Sequence, residues 1–504
     1  MSPNIAGSLD RTAARVPETV AITFEGRSVT FGDLDRGARR MSAALQRGGV
    51  THGDRVAIWL PNHPFFAETM YGAWRCGATV VPVHSALTSP EARHILSDAG
   101  AKVLVCGEVQ IGGASDLVGN VAGLEQIVVV GSPPSGTTGY ESFTADGQDA
   151  PAVSELADDD LALIAYTAGT SGLPKGAMLT HANLRANLEQ MRRVTVAIRS
   201  DDVVLCILPL FHIFGLNVVL NLAVDVGARL VLFERFDPKS SIEAIRTEGV
   251  TVIAGAPPAY VAWLAVADAP ADAFAPVRVA ISGAAPLPKE VLSGFEQRFG
   301  VTIWEGYGLT ETAPALTSTA VGGVAKPGSI GRALPDVEIR LVDEDGDDVE
   351  EGDPGEVIVR GPNVFLGYWN QPEESGRVLR DGWFHTGDVA VADDDGDLFI
   401  VDRRRDLILV SGFNVYPREV GDVLRRHPNV GDCAVVGEPD PRTGESVRAI
   451  VVVDPPGKSV TTDELLEFCR LSLAPYKVPT IVDIVPEIPR NAAGKVLRRV
   501  LRHT

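Results

Sequence analysis

Residues 55–107 read RVAIWLPNHPFFAETMYGAWRCGATVVPVHSALTSPEARHILSDAGAKVLVCG. Short apolar runs in this stretch alternate with longer segments that have a helical pattern. Strands that alternate with helices are typical of βαβ units, in which the strands are parallel and covered by helices. The stretch therefore predicts a parallel sheet, and a similar rhythm continues over the first four hundred residues.

The pattern changes after about residue 315, where short strands alternate with turns, as in VEIRLVDEDGDDVEEGDPGEVIVRGPNVFLGYW at 337–369. This predicts an antiparallel, barrel-like region. Two acidic runs, DEDGDD at 343–348 and DDDGDL at 393–398, look superficially like calcium loops. Because the first ligand position of an EF-hand would fall on Leu341 or Val391, we predict hairpin turns instead.

The polar segment 131–160 is predicted to be a surface connection.

A smaller unit is expected from VDRRRDLILVSGFNVYPREV at 401–420 onward. We predict a helix that ends before His427, strands at CAVVG and RAIVVV, and a helix opened by a capping box between Thr461 and Glu464. The last hundred residues thus read as a separate α+β domain.

The composition limits the class of protein. The chain has 504 residues, which favours two or three domains, and a net charge of −21, which disfavours nucleic-acid binding. Its five cysteines are widely spaced and include no CxxC pair, so they are predicted to be reduced core residues of a cytoplasmic protein. We expect neither a signal peptide nor a transmembrane segment.

TAGTSGLPKG, at 167–176, follows the apolar run LALIAY. Its glycines allow tight turns, and its hydroxyls and Lys175 can donate to an anion, so the stretch indicates a phosphate-binding loop. Pro174 breaks the spacing that a Walker A loop requires. The alternative interpretation is a flexible Gly/Ser-rich connection.

Three further motifs carry polar groups that suit a nucleotide. In EGYGLTE (305–311), Tyr307 can stack on a base and Glu311 can bind Mg²⁺. In WFHTGD (383–388), Asp388 can accept from ribose hydroxyls. In PRNAAGK, Lys495 follows a glycine. Each could equally be an ordinary turn or, for Lys495, a solvated surface lysine.

The motifs together resemble the adenylate-forming superfamily of acyl-CoA synthetases, luciferases and peptide-synthetase adenylation domains. In order, they are YTAGTSGLPKGAMLTH, LPLFHIFG, SGAAPL, EGYGLTE, GEVIVRGPNVFLGYWN, WFHTGD, DRRRDLILVSGFNVYP and PRNAAGK. The resemblance implies an α/β fold: a large N-terminal domain of layered sheets and helices with a β-barrel-like subdomain (1–402), a hinge (403–406), and a small mobile α+β C-terminal domain (407–504).

The resemblance also implies the reaction, in which a carboxylate displaces pyrophosphate from MgATP to form an acyl-AMP and a thiol then displaces AMP. The residues implied to bind ATP are Thr167, Gly169, Thr170, Ser171, Gly172 and Lys175 at the β- and γ-phosphates, Gly283, Ala284, Ala285 and Tyr307 at the adenine, and Asp388 and Arg403 at the ribose. Thr310 is implied to contact the α-phosphate and Glu311 to hold Mg²⁺. Lys495 is implied to bridge the substrate carboxylate and the α-phosphate region. In the phosphate loop, Ala168 departs from the serine usual in the family.

The second step is implied to need a rotation of the small domain. Arg405 matches the hinge position, and Gly412 and Phe413 match the loop that lines the pantetheine tunnel of CoA. Rotation would withdraw Lys495 from the site, so that one active site serves two reactions.

His212 in LPLFHIFG matches the gate between the acyl pocket and the thiol tunnel, although it could also be a buried core histidine. The pocket is expected to be lined by a helix that begins near Asn217 and by residues near Ala284, Gly308 and Ala313. The segment after His212 is apolar up to Asp225, which favours a hydrophobic monocarboxylate such as a medium- or long-chain fatty acid.

CoA is the expected acceptor. One alternative is loading of an acyl carrier protein, and another is a catalytically silent nucleotide-binding or acyl-binding module. Peripheral membrane contact also stays open.

Overall fold

The computed structural model of the chain describes residues 4–112, 117, 119–145, 153–167, 174–403, 408–410, 413–440, 444–454, 460–473, 475–490 and 496–501. These residues form two compact units. The large unit comprises Met1–Ile339 and Val359–Phe384, and the small unit comprises Arg340–Ile358 and His385–Thr504. The mixed α/β class with a large and a small part is confirmed, whereas the boundaries 1–402, 403–406 and 407–504 stay predictions.

The strands follow in chain order. They are β1 (Val20–Phe24), β2 (Arg27–Thr30), β3 (Arg55–Trp59), β4 (Thr79–Pro82), β5 (Ala101–Gly107), β6 (Gln126–Val130), β7 (Thr138–Gly139), β8 (Leu161–Thr167), β9 (Lys175–Thr180), β10 (Val203–Cys206), β11 (Arg229–Leu232), β12 (Val252–Gly255), β13 (Val279–Ser282), β14 (Ile303–Gly308), β15 (Ala315–Ser318), β16 (Arg332–Ala333), β17 (Glu338–Val342), β18 (Gly355–Arg360), β19 (Leu379–Arg380), β20 (Trp383–Ala392), β21 (Leu398–Arg403), β22 (Ile408–Val410), β23 (Phe413–Val415), β24 (Val430–Asp440), β25 (Gly444–Val453) and β26 (Ile481–Ile484).

The α-helices are α1 (Gly7–Arg15), α2 (Phe31–Arg47), α3 (Pro64–Arg75), α4 (Ser89–Ala99), α5 (Glu108–Gly112), α6 (Tyr140–Thr144), α7 (His181–Arg192), α8 (Leu222–Val226), α9 (Pro238–Thr247), α10 (Pro257–Ala265), α11 (Lys289–Phe299), α12 (Thr319–Gly322), α13 (Pro372–Val378), α14 (Pro417–Arg425), α15 (Thr462–Arg470) and α16 (Arg498–Leu501). A π-helix spans Phe214–Asn221, and single 3-10 turns span Thr310–Thr312 and Pro475–Lys477.

The stretch 55–107 forms the centre of a seven-stranded sheet in the large unit, ordered β7-β6-β5-β3-β4-β8-β9. Strand β3 pairs in parallel with both β4 and β5, and helices α3 and α4 make the crossovers. Helix α4 is capped at its C-terminus by Gly100, whose φ of 60° is the left-handed conformation that glycine adopts without strain. The predicted βαβ rhythm is therefore confirmed here.

A nine-stranded sheet in the same unit is ordered β16-β15-β14-β13-β12-β10-β11-β1-β2. Strands β10 to β14 are parallel, and β15 pairs antiparallel with β14. On one face of this sheet, buried aromatic rings pack around Trp263, including Phe274 at 5.5 Å between centroids. The first strands after residue 315 thus extend this sheet, and the antiparallel region proper begins at β17.

The small unit contains the predicted hairpins and the predicted α+β domain. Asp393 Oδ1 accepts from the backbone N–H groups of Asp395 and Asp397 in the turn between antiparallel β20 and β21, so DDDGDL is a hairpin turn as expected. The second sheet is ordered β23-β22-β25-β24, with β26 beside β25. Helix α14 ends before His427, and α15 opens with the capping box of Thr461 and Glu464, which confirms both predictions.

The described residues of the segment 131–160 are mostly exposed or partly exposed, which agrees with the predicted surface connection, but the segment is not free of structure. It contains β7 and the short helix α6, whose Tyr140 is 2% exposed and stacks on Phe65 with 4.1 Å between ring centroids. An aromatic ring buries enough apolar area to anchor a short turn of helix in an otherwise polar segment. The buried Tyr140 is therefore a local anchor that the prediction did not include.

The five cysteines, Cys76, Cys106, Cys206, Cys433 and Cys469, are all buried and free, as predicted. Burial raises the pKa of the Cys76 thiol to about 11 and that of Cys206 to about 12. Among the helices that the structure describes, none has the length and hydropathy to span a bilayer.

Arg75, at the end of α3, is a buried cation in the large unit. Its side chain is 2% exposed and forms ion pairs with Asp10 of α1 and Asp35 of α2. These contacts tie the first helix to the α2–α3 pair. Removing one partner of a buried ion pair leaves the others uncompensated, which typically costs about 3 kcal/mol or more.

We therefore expect Arg75→Ala to lower the midpoint of thermal unfolding by several degrees. The matched control is Arg36→Ala, because Arg36 pairs with Asp33 on the surface, where ion pairs contribute about 1 kcal/mol or less. Differential scanning calorimetry measures both. Equal midpoints for the two variants would contradict a stabilising role for the Arg75 network.

Candidate active site

The predicted phosphate loop connects the antiparallel strands β8 and β9. Thr167 ends β8 and lies opposite Lys175, the first residue of β9, and the Thr167 hydroxyl donates to the Lys175 carbonyl at 3.5 Å. Strand β8 is thus the buried strand expected before the loop. Ala168 and the predicted ligands Gly169, Thr170, Ser171 and Gly172 lie outside the described residues.

Lys175 is held from two sides. Its ammonium lies 2.5 Å from Glu374 Oε2 and 5.3 Å from the centre of the Tyr368 ring. Its neighbour Gly176 has to be a glycine, because a Cβ there would lie 2.7 Å from the Ile164 side chain. The lysine therefore has a defined position at the end of the loop, with its charge partly compensated by Glu374.

The predicted adenine-binding residues lie at the carboxyl ends of two neighbouring parallel strands. Gly283, Ala284 and Ala285 follow β13, and Tyr307 lies near the end of β14, which pairs with β13. Ligands of open α/β sheets commonly bind at this edge. Ala284 is exposed and has a φ of 69°, a conformation that costs energy for a residue with a Cβ and is often found at functional sites.

Thr310 and Glu311 form a single 3-10 turn directly after β14. Glu311 is buried, its carbonyl accepts from the N–H of Phe365 at 2.9 Å, and its Oε1 accepts from the Tyr368 hydroxyl at 2.8 Å. Mg²⁺ is commonly bound by one or two carboxylates together with substrate phosphates, so an oriented carboxylate at this strand end fits the metal. Sequence reasoning missed Tyr368, although it lies within the quoted motif GEVIVRGPNVFLGYWN.

His212 is exposed, so the interpretation as a core histidine was wrong. Its Nδ1 accepts from the N–H of Phe214 at 3.3 Å, which leaves Nε2 to carry the proton of a neutral ring. Desolvation, with a smaller contribution from His84, lowers the pKa of His212 below its ordinary value. Exposure together with desolvation describes a side chain in a cleft, and at pH 7 this ring is uncharged.

The segment after His212 is helical, as predicted, but it is a π-helix, Phe214–Asn221, that begins three residues before Asn217. Asn217 lies in its middle, fully buried, and its amide donates to the carbonyls of Leu184 and Ala313. The Phe214 ring packs against Gly283, where an added Cβ would lie 3.2 Å from a ring carbon. The π-helix therefore forms a wall beside Gly283–Ala285, the residues predicted to bind the adenine. Phe214 makes this wall aromatic, and the side-chain amide of Asn217 is bonded within the protein.

In the small unit, Asp388 and Arg403 are direct register partners on β20 and β21. The structure thus brings together the two residues predicted to bind the ribose, and Asp388 is buried. Phe413 opens β23, which pairs with β22. Arg405, Gly412 and Lys495 lie outside the described residues.

Comparisons with known proteins agree with the resemblance. The model of the family described as "AMP-binding enzyme" matches residues 9–369, and that of "AMP-binding enzyme C-terminal domain" matches residues 419–495. A feruloyl-CoA synthase of Amycolatopsis sp is 38% identical over 98% of this chain and 97% of its own length. A long-chain-fatty-acid–CoA ligase of Bacillus subtilis (strain 168) is 34% identical over 98% of this chain and 93% of its own.

Among solved structures, ATP-bound MatB from Rhodopseudomonas palustris superposes with a TM-score of 0.92 at 32% identity. The match covers 100% of this chain and 99% of that one. Both the sequence and the fold are therefore matched over essentially the full length.

Proposed function

Since this chain belongs to the AMP-binding enzyme family and is an AMP-forming acyl-CoA synthetase that uses ATP, Mg²⁺ and CoA, we propose that its acid is a hydrophobic monocarboxylate. Medium- or long-chain fatty acids and aromatic acids both fall in this class. The observation that carries the proposal is the wall formed after His212, where Phe214 packs on Gly283 and the amide of Asn217 is bonded within the protein.

The wall after His212 provides no charged partner for a second polar group of the substrate. A dicarboxylate would need a cation for its distal carboxylate, because an unpaired charge is costly in an apolar site. Residues 213–224 contain no charged residue. Each buried CH₂ contributes about 0.8 kcal/mol, so this wall favours a hydrocarbon or aromatic group.

For the first half-reaction we propose that the substrate carboxylate attacks the α-phosphorus of ATP and pyrophosphate leaves. Lys175 and the 167–172 loop would hold the β- and γ-phosphates, and Thr310 the α-phosphate. Tyr307 and the strip Gly283–Ala285 would hold the adenine. Glu311 would hold Mg²⁺, which would supply positive charge to neutralise the phosphates. The protein contributes mainly positioning and charge stabilisation.

For the second half-reaction we propose that the CoA thiol attacks the acyl carbonyl and AMP leaves. The small unit would supply Asp388 and Arg403 to the ribose and Lys495 to the first step only. Rotation about Arg405 would then bring Gly412 and Phe413 to the pantetheine. The neutral His212 ring would gate the passage between acid and thiol without adding charge there.

The boundaries 1–402, 403–406 and 407–504 belong to this proposal, as does a cytoplasmic location, which the buried free cysteines support. The alternative acceptor is the thiol of an acyl carrier protein. Both acceptors present a pantetheine arm, so the same tunnel would serve either.

Pyrophosphate release over a panel of carboxylic acids tests the proposal. The panel contains fatty acids of increasing length, benzoate-type and ferulate-type acids, and short dicarboxylates, each with CoA, with acyl carrier protein and with neither. We expect turnover with hydrophobic monocarboxylates and CoA. A preference for dicarboxylates would contradict the proposed acid, and turnover only with carrier protein would contradict CoA as the acceptor.

A further inference from the structure

Glu374 is an acidic residue placed directly at the expected phosphate site. It lies in the first turn of α13, and its Oε2 is 2.5 Å from the ammonium of Lys175. The side chains are 28% and 12% exposed, respectively, so the pair is partly shielded from water. The bond to Lys175 lowers the pKa of Glu374 below its ordinary value, so this carboxylate is ionised at neutral pH.

The position of Glu374 is fixed by the backbone and does not depend on the ion pair alone. The segment before α13 runs beside β9: the N–H of Met178 donates to the Gly367 carbonyl, and the N–H of Trp369 donates to the Gly176 carbonyl at 2.8 Å. The Ser375 hydroxyl accepts from the N–H of Tyr368 at 2.8 Å and anchors the first turn of α13. The hydrogen bonds between 176–178 and 367–369 therefore place the carboxylate of residue 374 close to residue 175.

Glu374 also has a second cation within reach. Arg377, one turn along α13, forms an ion pair with Glu374 through Oε1, whereas Lys175 binds Oε2. When Lys175 turns toward an anion, Arg377 still compensates the carboxylate. The exchange of partners therefore leaves no isolated charge.

We propose that Glu374 is an internal competitor of the β- and γ-phosphates for Lys175, which weakens ATP binding and promotes the release of pyrophosphate. This inference rests on the proposed function, because it requires that Lys175 binds those phosphates. When ATP binds, its phosphates displace Glu374 from the ammonium. When pyrophosphate forms, Glu374 recaptures the lysine and lowers the affinity for the leaving product.

The Glu374→Gln substitution separates this role from a structural one. Glutamine keeps the size and a hydrogen-bonding oxygen but removes the competing charge. We expect the dissociation constants of ATP and magnesium pyrophosphate, measured by isothermal titration calorimetry without acid substrate, to fall roughly two- to fivefold. The dissociation constant of AMP, which lacks the β- and γ-phosphates, is expected to stay unchanged.

The matched control is Glu373→Gln, because Glu373 is the adjacent exposed carboxylate in the same helical turn and its loss changes the net charge equally. It should leave all three dissociation constants unchanged. An unchanged or weaker affinity of Glu374→Gln for ATP, or an equal gain for AMP, would overturn the inference.

Lys175→Ala and the double variant Lys175→Ala/Glu374→Gln complete a double-mutant cycle for residues 175 and 374. Competition for Lys175 predicts that Glu374→Gln has no effect once Lys175 is absent; a persisting gain in affinity would overturn it. If Lys175→Ala weakens ATP binding while Glu374→Gln does nothing, the inference alone fails. If Lys175→Ala leaves ATP binding intact, the proposed phosphate site fails and the inference fails with it.

Discussion

Lys495→Ala is expected to lower the rate of acyl-adenylate formation by a factor of roughly 10² to 10³, because it removes the cation that is proposed to stabilise charge at the reacting carboxylate and α-phosphate. Thioester formation from supplied acyl-AMP and CoA should be largely spared, since the small domain is proposed to withdraw Lys495 before the second step. Pyrophosphate release measures the first half-reaction. Single-turnover formation of acyl-CoA from synthetic acyl-AMP measures the second.

The control for this variant is Lys239→Ala, because Lys239 is a well-exposed lysine of the large unit that pairs with Asp268 on the surface. It should leave both half-reactions unchanged. Equal loss of both half-reactions in Lys495→Ala would contradict the rotation of the small domain.

Glu311→Gln is expected to produce the second large loss, a fall in kcat/KM for adenylation on the order of 10²-fold at a fixed Mg²⁺ concentration. The amide oxygen of glutamine can still accept from Tyr368, so the local packing is kept while the negative charge is lost. Initial rates of pyrophosphate release as a function of free Mg²⁺ measure the effect. The concentration of Mg²⁺ at half-maximal rate should rise, because the metal would lose the carboxylate that is proposed to hold it.

Tyr368→Phe is the milder comparison for Glu311→Gln, since it removes the hydroxyl whose 2.8 Å hydrogen bond orients the carboxylate but keeps the carboxylate itself. Loss of such an orienting partner typically weakens metal binding about tenfold. The half-maximal Mg²⁺ concentration should therefore rise less than in Glu311→Gln. An unchanged Mg²⁺ dependence in both variants would contradict the assignment of Glu311 to the metal.

Local sequence patterns predicted the elements that depend on local chemistry. The alternation in 55–107 predicted β3, α3, β4, α4 and β5. Buried strands appear in the sequence as short apolar runs, and helices appear as longer segments with a helical repeat of apolar residues. The capping box at Thr461 and Glu464 predicted the start of α15, since both partners lie within four residues. The ordered motifs singled out Ala284, Tyr307 and Glu311, and the structure places them at or just after the ends of β13 and β14.

Features that depend on distant residues could not be predicted in this way. Glu374 lies 199 residues from Lys175, and Tyr368 lies 57 residues from Glu311, so no periodicity connects either pair. The π-helix at Phe214–Asn221 has the same apolar composition as a buried α-helix, and its wider turn accompanies the bonds that Asn217 makes to Leu184 and Ala313. The burial of Tyr140 depends on Phe65 in another helix.

The buried cysteines make the protein a suitable starting point for optical measurements. A thiol reacts with maleimide dyes as the thiolate, and burial both raises the pKa of each native thiol and blocks access to it. A cysteine introduced at Val109, which is 81% exposed, and another at Leu471, which is 78% exposed, would then be labelled without removing any native cysteine. Energy transfer between the two dyes would follow the small unit through the catalytic cycle in the otherwise unmodified enzyme.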